Sequence, residues 1–277
     1  MATLRLRREK LDAKKWHDQG YQLFDMHLHT KFSNDAFSSV NRVLKLAKRK
    51  GIGLAISDHN EIRGSVIAAK NKMGVPIIPG IELKFQRNLD ILCYFYSVED
   101  LQNFFRKYVE PHLKTPFAPT NIRFIDMAPE YFFSQIHDIN YVVSIAHPFV
   151  FRAGAAVLIK EKFISAHLLD YATMVEIMNG HMTKGTNLKA ARWKLASHKN
   201  ASGGSDSHMG INVGRMVTAT KVMDAEHFLD AVKRESIAIG KEPFYMNTIV
   251  SFAIGLLKII ILHFKDLIFK SSRKKDV

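Results

Sequence analysis

Five β-type runs in this 277-residue chain each end on a histidine or an acid, and that recurrence limits the fold more than any other feature of the sequence. A strand-like apolar entry leads into Asp25-Met-His27-Leu-His29, with Asp35 close behind. Ile52 to Ile56 leads into Ser57-Asp58-His59-Asn60, and Val75 to Ile81 leads into Glu82. Tyr141 to Ala146 leads into His147, and Gly203-Gly204 into Ser205-Asp206-Ser207-His208. A parallel α/β barrel places its chemistry in just this way, at the carboxyl ends of its strands. The period of two along a strand sets His27 and His29 on one face, so both imidazoles can reach a single divalent ion. Unrelated surface polar residues have no reason to recur at strand ends.

The segments between these runs carry helical periodicity. Val40 to Lys50 has Val40, Val43, Leu44 and Ala47 on one face, a basic outer face, and Gly51 placed as a C-cap. Further helices are expected over Arg63 to Met73, Leu101 to His112, Pro129 to Ile136, Glu161 to Tyr171, Leu188 to Ser197 and Ala225 to Arg234. Strands are expected at Tyr141 to Ala146, Met174 to Met178 and Ile237 to Ile239. Such alternation predicts a parallel sheet. With 47% apolar residues the chain can bury one large core. The expected division is a basic arm over residues 1–20, one catalytic domain over 21–243, and an apolar helix with a basic tail over 244–277. The proline-interrupted stretch from Lys114 to Met127 reads as an irregular loop near the mouth, where substrate choice can be set. Cys93 is the single cysteine, which excludes an internal disulfide; its apolar run marks it as packed rather than reactive.

Four ordered motifs make a more specific signal: Asp25-Met-His27-Leu-His29-Thr30, Ser57-Asp58-His59-Asn60, Ala146-His147-Pro148 and Gly204-Ser-Asp206-Ser-His208. On these residues the chain resembles the PHP (polymerase and histidinol phosphatase) domain phosphoesterases, over roughly residues 21 to 243. The resemblance implies an α/β fold, a distorted (β/α)7 TIM-like barrel of the PHP type, with two or three divalent ions at its mouth. It assigns one ion to His27, His29, Glu82 and Asp206, another to Asp35, His59 and His208, and a third to Glu82 as bridge together with His147. Where a further histidine is often expected, on the strand after the bridging glutamate, this chain has Asp90, in Leu89-Asp-Ile-Leu-Cys-Tyr94. Oxygen and nitrogen donors without thiolate suit Mn²⁺, Zn²⁺, Fe²⁺ or Mg²⁺.

The resemblance implies hydrolysis of a phosphomonoester or phosphodiester by a metal-bound hydroxide, the cations polarising the phosphate and steadying the leaving oxygen. No side-chain nucleophile is then needed. Asp25 and Asp58, each close to a ligand histidine, are expected to hold imidazole N–H groups. Arg152 is the candidate for bidentate contact with phosphate. Asn60 and Asn179 are placed at strand ends facing the same mouth, with Arg215 and Lys184 as further candidates. His112, His137, His167, His181, His198 and His227 carry no spacing signal and are read as surface or core residues.

The net charge of +14 suits a phosphorylated or nucleic-acid partner, yet much of the excess lies at the two ends, and no RNA-binding motif accompanies it. From Ile249 to Phe264 the chain is nearly all apolar. Such a helix packs into the protein, dimerises or meets a bilayer; a membrane-interface anchor, helped by Arg273-Lys-Lys275, is the favoured reading. The opening Met1 to Gln19 has no apolar stretch of signal-peptide type, so the catalytic domain is expected in the cytoplasm, with membrane association through the terminal helix. Three functions remain in play. One is a phosphoesterase acting on a small phosphorylated metabolite or nucleotide, the second a nuclease of the same family, and the third a non-catalytic metal-binding regulatory module, for which missing ligands would be expected. A C–N amidohydrolase would call for a bridging lysine on a middle strand, where this chain has Glu82.

Overall fold

The computed structural model describes residues 5–71, 73–114, 123–150, 153–193, 196–242 and Leu257. In chain order its strands are β1 (Leu6–Arg7), β2 (Tyr21–Leu28), β3 (Gly53–Ile56), β4 (Gly80–Lys84), β5 (Asp90–Phe95), β6 (Leu113–Lys114), β7 (Phe124–Ile125), β8 (Tyr141–Ile145), β9 (Met174–Asn179), β10 (Asn200–Gly204), β11 (Met216–Lys221) and β12 (Ile237–Gly240). The helices are α1 (Ala13–His17), α2 (Val40–Lys50), α3 (Arg63–Ala69), α4 (Val98–Phe104), α5 (Pro129–Ser134), α6 (Ala155–Lys160), α7 (Leu168–Tyr171), α8 (Lys184–Ala191) and α9 (Phe228–Arg234). One five-stranded sheet runs β1-β12-β11-β2-β3 and a second runs β10-β9-β8-β5-β4, while β6 and β7 pair by themselves.

The class is α/β, as expected, but the strands form no closed barrel among the described residues, and the sheets are mixed rather than parallel. β2–β3, β8–β9, β9–β10 and β1–β12 pair parallel, whereas β4–β5, β5–β8, β2–β11 and β11–β12 pair antiparallel. For β4 and β5 the reason is connection length. Only a tight turn at Gln86–Asn88 joins them, and a parallel pair needs a crossover of a dozen or so residues. Between the two sheets the hydrogen-bonded ladder shrinks to isolated bridges: His59 to Glu82 and Leu54 to Ile77 where β3 nears β4, and Leu28 to Ser207 where β2 nears β10.

Side chains do what the ladder does not. Phe24, Met26 and Ala55 of the first sheet pack with Leu92, Tyr94, Val142 and Met174 of the second and with Phe228 of α9 in one buried cluster. The Tyr94 hydroxyl satisfies itself across this cluster by donating to the Met26 carbonyl at 2.7 Å. On the outer face of the first sheet, α2 buries Val40, Val43, Leu44 and Ala47, the residues its periodicity marks. The Ser39 side chain accepts the Arg42 N–H at its start, and Gly51, at φ 65°, closes its end. The amino-terminal residues expected as a separate arm are partly built into the domain: Leu6 and Arg7 pair with Ala238 and Ile239, and Trp16 is buried against the α2 cluster.

Three helices depart from their periodicity; the one expected over Leu188 to Ser197 runs over Lys184–Ala191, capped by Thr183. In place of one helix over Glu161 to Tyr171, α6 stops at Lys160, Lys162 takes a left-handed φ of 60°, and α7 resumes only at Leu168. The helix expected over Leu101 to His112 starts at Val98, where Ser97 caps it, and its regular part ends at Phe104. Among the described residues no helix is long and apolar enough to cross a membrane. The proposed terminal helix, apart from Leu257, and residues 115–122 of the loop lie outside the described residues.

Backbone proximity tests this packing directly. A Cβ on Gly204 would stand 2.3 Å from His27 Cβ and 2.5 Å from its backbone nitrogen. Gly204→Ala is therefore expected to destabilise the chain by about 1–3 kcal/mol, the usual range for overpacking, seen as a lower Tm. An unchanged Tm would contradict the approach of β10 to β2.

Candidate metal centre

The donors reach the site from six strands. β2 carries His27 and leads into His29, and the turn beyond brings Asp35; His59 follows β3, Glu82 lies within β4, Asp90 opens β5, His147 follows β8, and Asp206 and His208 follow β10. Glu82, fully buried, is the hub. Its Oε1 lies 3.2 Å from His27 Nε2 and 3.5 Å from His147 Nε2, and its Oε2 lies 3.3 Å from His29 Nε2 and 2.9 Å from His59 Nδ1. Asp206 Oδ1 is 3.2 Å from His29 Nε2, and Asp35 Oδ2 stands 3.4 Å from both His59 Nε2 and His208 Nε2.

The donor chemistry fits divalent cations. Groups such as His27, Glu82 and His147, or His27, His29 and Asp206, bring their ligand atoms within 4.8 Å of one another and could hold an ion. Both oxygens of Glu82, Asp206 Oδ1, Asp35 Oδ1, His59 Nδ1 and His147 Nδ1 are buried without a hydrogen-bond partner. Buried polar atoms are ordinarily satisfied, and a concentration of unsatisfied ones calls for an ion or another ligand. Asp206 and Asn60 also hold left-handed backbone, at φ 48° and 47°, conformations that persist only when the surroundings impose them.

The electrostatics of the cluster follow from burial and mutual charge. Burial works to lower the pKa of His27, but the carboxylates of Glu82, Glu176 and Asp206 outweigh it and hold the group well above its ordinary value. At His59 burial is likewise overcome, by Glu82 and Asp35, and the pKa rises to about 10. His29 goes the other way, to about 3, because burial is joined by repulsion from His208 and His59. Asp206 and Glu82 sit well below the usual carboxylate range, since the surrounding imidazoles prevail over desolvation.

Around the donors lies a layer of orienting contacts. Glu176, buried in β9, takes His27 Nδ1 at 3.0 Å on one oxygen and the His147 backbone N–H at 2.9 Å on the other. Sequence reasoning passed over it, although a carboxylate inside an otherwise apolar strand was the available signal. Asp58 accepts from the Thr30 N–H and hydroxyl and from Ser33 Oγ, and Ser33 Oγ lies 3.2 Å from His29 Nδ1. Asp58 thus acts on an imidazole through a hydroxyl rather than directly. Asp25 does not meet an imidazole. Its oxygens accept the backbone N–H groups of Ser205, Gly214 and His27, and burial raises its pKa to about 6 against those bonds.

The proposed phosphate contacts fare differently. The Asn60 amide is committed to backbone, donating to the carbonyls of Lys84 and Arg123 and accepting the Lys84 N–H, so no amide N–H remains to donate to a phosphate. Asn179 donates to Glu176 and Asp206 and accepts the His181 N–H; it orients donors from within the wall. Arg215 donates to the carbonyls of Lys241 and Glu242. Arg152 lies outside the described residues. His181, read as ordinary from sequence, belongs here: its Nδ1 lies 3.7 Å from Asp206 Oδ2, its ring stacks on His208 at 4.8 Å, and burial lowers its pKa to about 4. No spacing rule reaches it, because the turn after Asn179 carries it inward.

Residues 25–182 match the PHP domain, and residues 184–237 match the PHP-associated region. A relative named "Probable phosphatase YcdX", from Escherichia coli O81 (strain ED1a), is 27% identical over 224 residues, covering 74% of this chain and 86% of that protein. Among solved structures, PsfC from Pseudomonas syringae PB-5123 aligns at a TM-score of 0.56 and 15% identity, over 87% of this chain and 98% of that one. The lesion-specific endonuclease PfuEndoQ from Pyrococcus furiosus aligns at 0.58 and 15% identity, over 77% of this chain and 55% of that one. At such identities the two structures speak for the fold.

The orienting role of Glu176 is open to measurement. Glu176→Ala releases the His27 ring and the His147 backbone together, and removing a contact of this kind typically costs about 10–100-fold in metal affinity. Titration with Mn²⁺ should show that loss; an unaltered affinity would remove Glu176 from the centre.

Proposed function

We propose, from the premise that this chain belongs to the PHP domain family, that it removes phosphate from a small phosphorylated molecule at the cluster centred on Glu82. The chain is a metal-dependent phosphoesterase, and the single observation that carries the reading of its site is the convergence of buried, unsatisfied oxygen and nitrogen donors from separate strand ends. Divalent ions held there supply the polarisation of phosphate oxygens and the activation of water that ester hydrolysis requires.

The protein's own part is positioning. Glu176 fixes the His27 ring and Ser33, held by Asp58, fixes that of His29, so neither imidazole has to be ordered when substrate arrives. Asn179 and the His181 ring bear on Asp206 Oδ2, which leaves Oδ1 to face His29 within the cluster. We assign the ligand roles to His27, His29, Asp35, His59, Glu82, His147, Asp206 and His208.

A small substrate is favoured over nucleic acid by one basic cavity that lies apart from the ligands. Lys10, Lys50, Arg215 and Lys241 line a cavity of about 550 Å³ bounded by α1, the end of α2 and the start of β11, and none of the proposed ligands borders it. A nuclease would need such charge to lead into the mouth. The relative named a phosphatase is matched over most of its length, whereas 55% of the endonuclease is matched.

Chelation is expected to abolish phosphate release from a panel of sugar phosphates and nucleotides, and Mn²⁺ to restore it; release from short oligonucleotides alone would transfer the assignment to a nuclease. Asp206→Ala and His59→Ala should each lose bound metal and activity together. Retained activity in either would remove that residue from the ligand set.

Loading should also move protons. Imidazole binds a cation only when neutral, and in the ion-free chain Glu82, Glu176 and Asp206 hold His27 protonated while Glu82 and Asp35 hold His59 so, with a pKa of about 10. Ion binding at pH 7.5 is therefore expected to release protons and to strengthen as pH rises. Calorimetry in buffers of different ionisation enthalpy reads this, and heats independent of buffer would contradict it.

A further inference from the structure

One corner of the cluster differs from the rest. Lys84 and Asp90 face each other directly in the β4–β5 ladder, so their side chains leave the same face of the sheet. Lys84 Nζ lies 2.6 Å from Asp90 Oδ1, and both residues are buried, at 8% and 7% exposure. Asp90 Oδ2 stands 3.9 Å from His147 Nε2, which in turn lies 3.5 Å from Glu82 Oε1. Asp90 could hold an ion with Glu82 and His59 and also borders His147, and an ammonium already lies against this corner.

The pattern of satisfaction separates this corner from the others. Glu82, Asp206 and Asp35 each keep at least one fully buried oxygen without a hydrogen-bond partner, while Asp90 already receives the Lys84 ammonium on Oδ1. A divalent ion placed on Asp90 would have to displace a buried ammonium or share the corner with it. Repulsion between neighbouring cations in a poorly solvated interior is large, and a buried ammonium stripped of its carboxylate is itself strongly destabilising.

We propose that Lys84 is a built-in cation that closes the corner between Glu82, Asp90 and His147, so that the centre takes two divalent ions and not three. This rests on reading the Glu82 cluster as a metal centre. The positive charge of that corner is then permanent, independent of metal supply, and carried by a hydrogen-bond donor.

The test counts ions and needs no turnover. The full chain, stripped of metal, is dialysed against Mn²⁺ and the bound metal measured per chain. Two equivalents are expected for the wild type and for Lys84→Arg, and three for Lys84→Ala, where Asp90 is freed to act as a ligand. Three equivalents in the wild type would overturn the proposal, and that count stands whether or not the alanine variant folds. A folded Lys84→Ala chain that still takes two would also overturn it. A wild type that takes none would remove the metal centre itself, and with it the function proposed above.

Discussion

Holding several carboxylates and imidazoles together away from water is the constraint on which the rest of this structure depends. Isolated ionised groups tolerate burial only when paired or bound to a cation, and here the pairing is mutual: Glu82 alone lies within 3.5 Å of four imidazole nitrogens. Such a cluster keeps its geometry only if the backbone beneath cannot yield. The buried packing of Phe24, Met26, Leu92 and Tyr94 supplies that floor, and the hydrogen bonds of Glu176, Asp58 and Asn179 supply the walls.

Much of this was legible from residues alone, and the limits have physical causes. His27 and His29 declare themselves because a strand's period of two puts them on one face, and the structure places their Nε2 atoms 3.3 Å apart. The α2 helix is equally plain, since its apolar stripe and both caps are local features. Strand direction was harder. The β4–β5 turn uses Arg87 and Asn88 at positive φ in place of a glycine, so nothing in the sequence announces a hairpin there. Asn179 closes β9 and Asn60 lies four residues past β3, but position does not say what an amide bonds to; both donate to their own surroundings. Glu176 was hidden for the opposite reason, inside a run that reads as plain strand.

Asp25 shows how far a single carboxylate can substitute for regular structure. The ladder between the sheets is reduced to isolated bridges, and across the gap near β10 this side chain receives the N–H groups of Ser205 and Gly214. It sits in the first motif yet serves the loop of the last one. Motif residues therefore divide into those that face the cluster and those that hold its frame, and residue type alone does not distinguish them.

The two sheets contribute donors jointly: His27 and His29 rise from β2 in one, while Glu82 and Asp90 lie on β4 and β5 of the other. A cation held among them would act as a rivet between halves that share few backbone hydrogen bonds. Occupancy and cohesion of the fold then become one equilibrium, in which ion concentration enters stability through RT ln(1 + [L]/Kd). Metal scarcity would loosen this protein along the seam between its sheets as well as silence it.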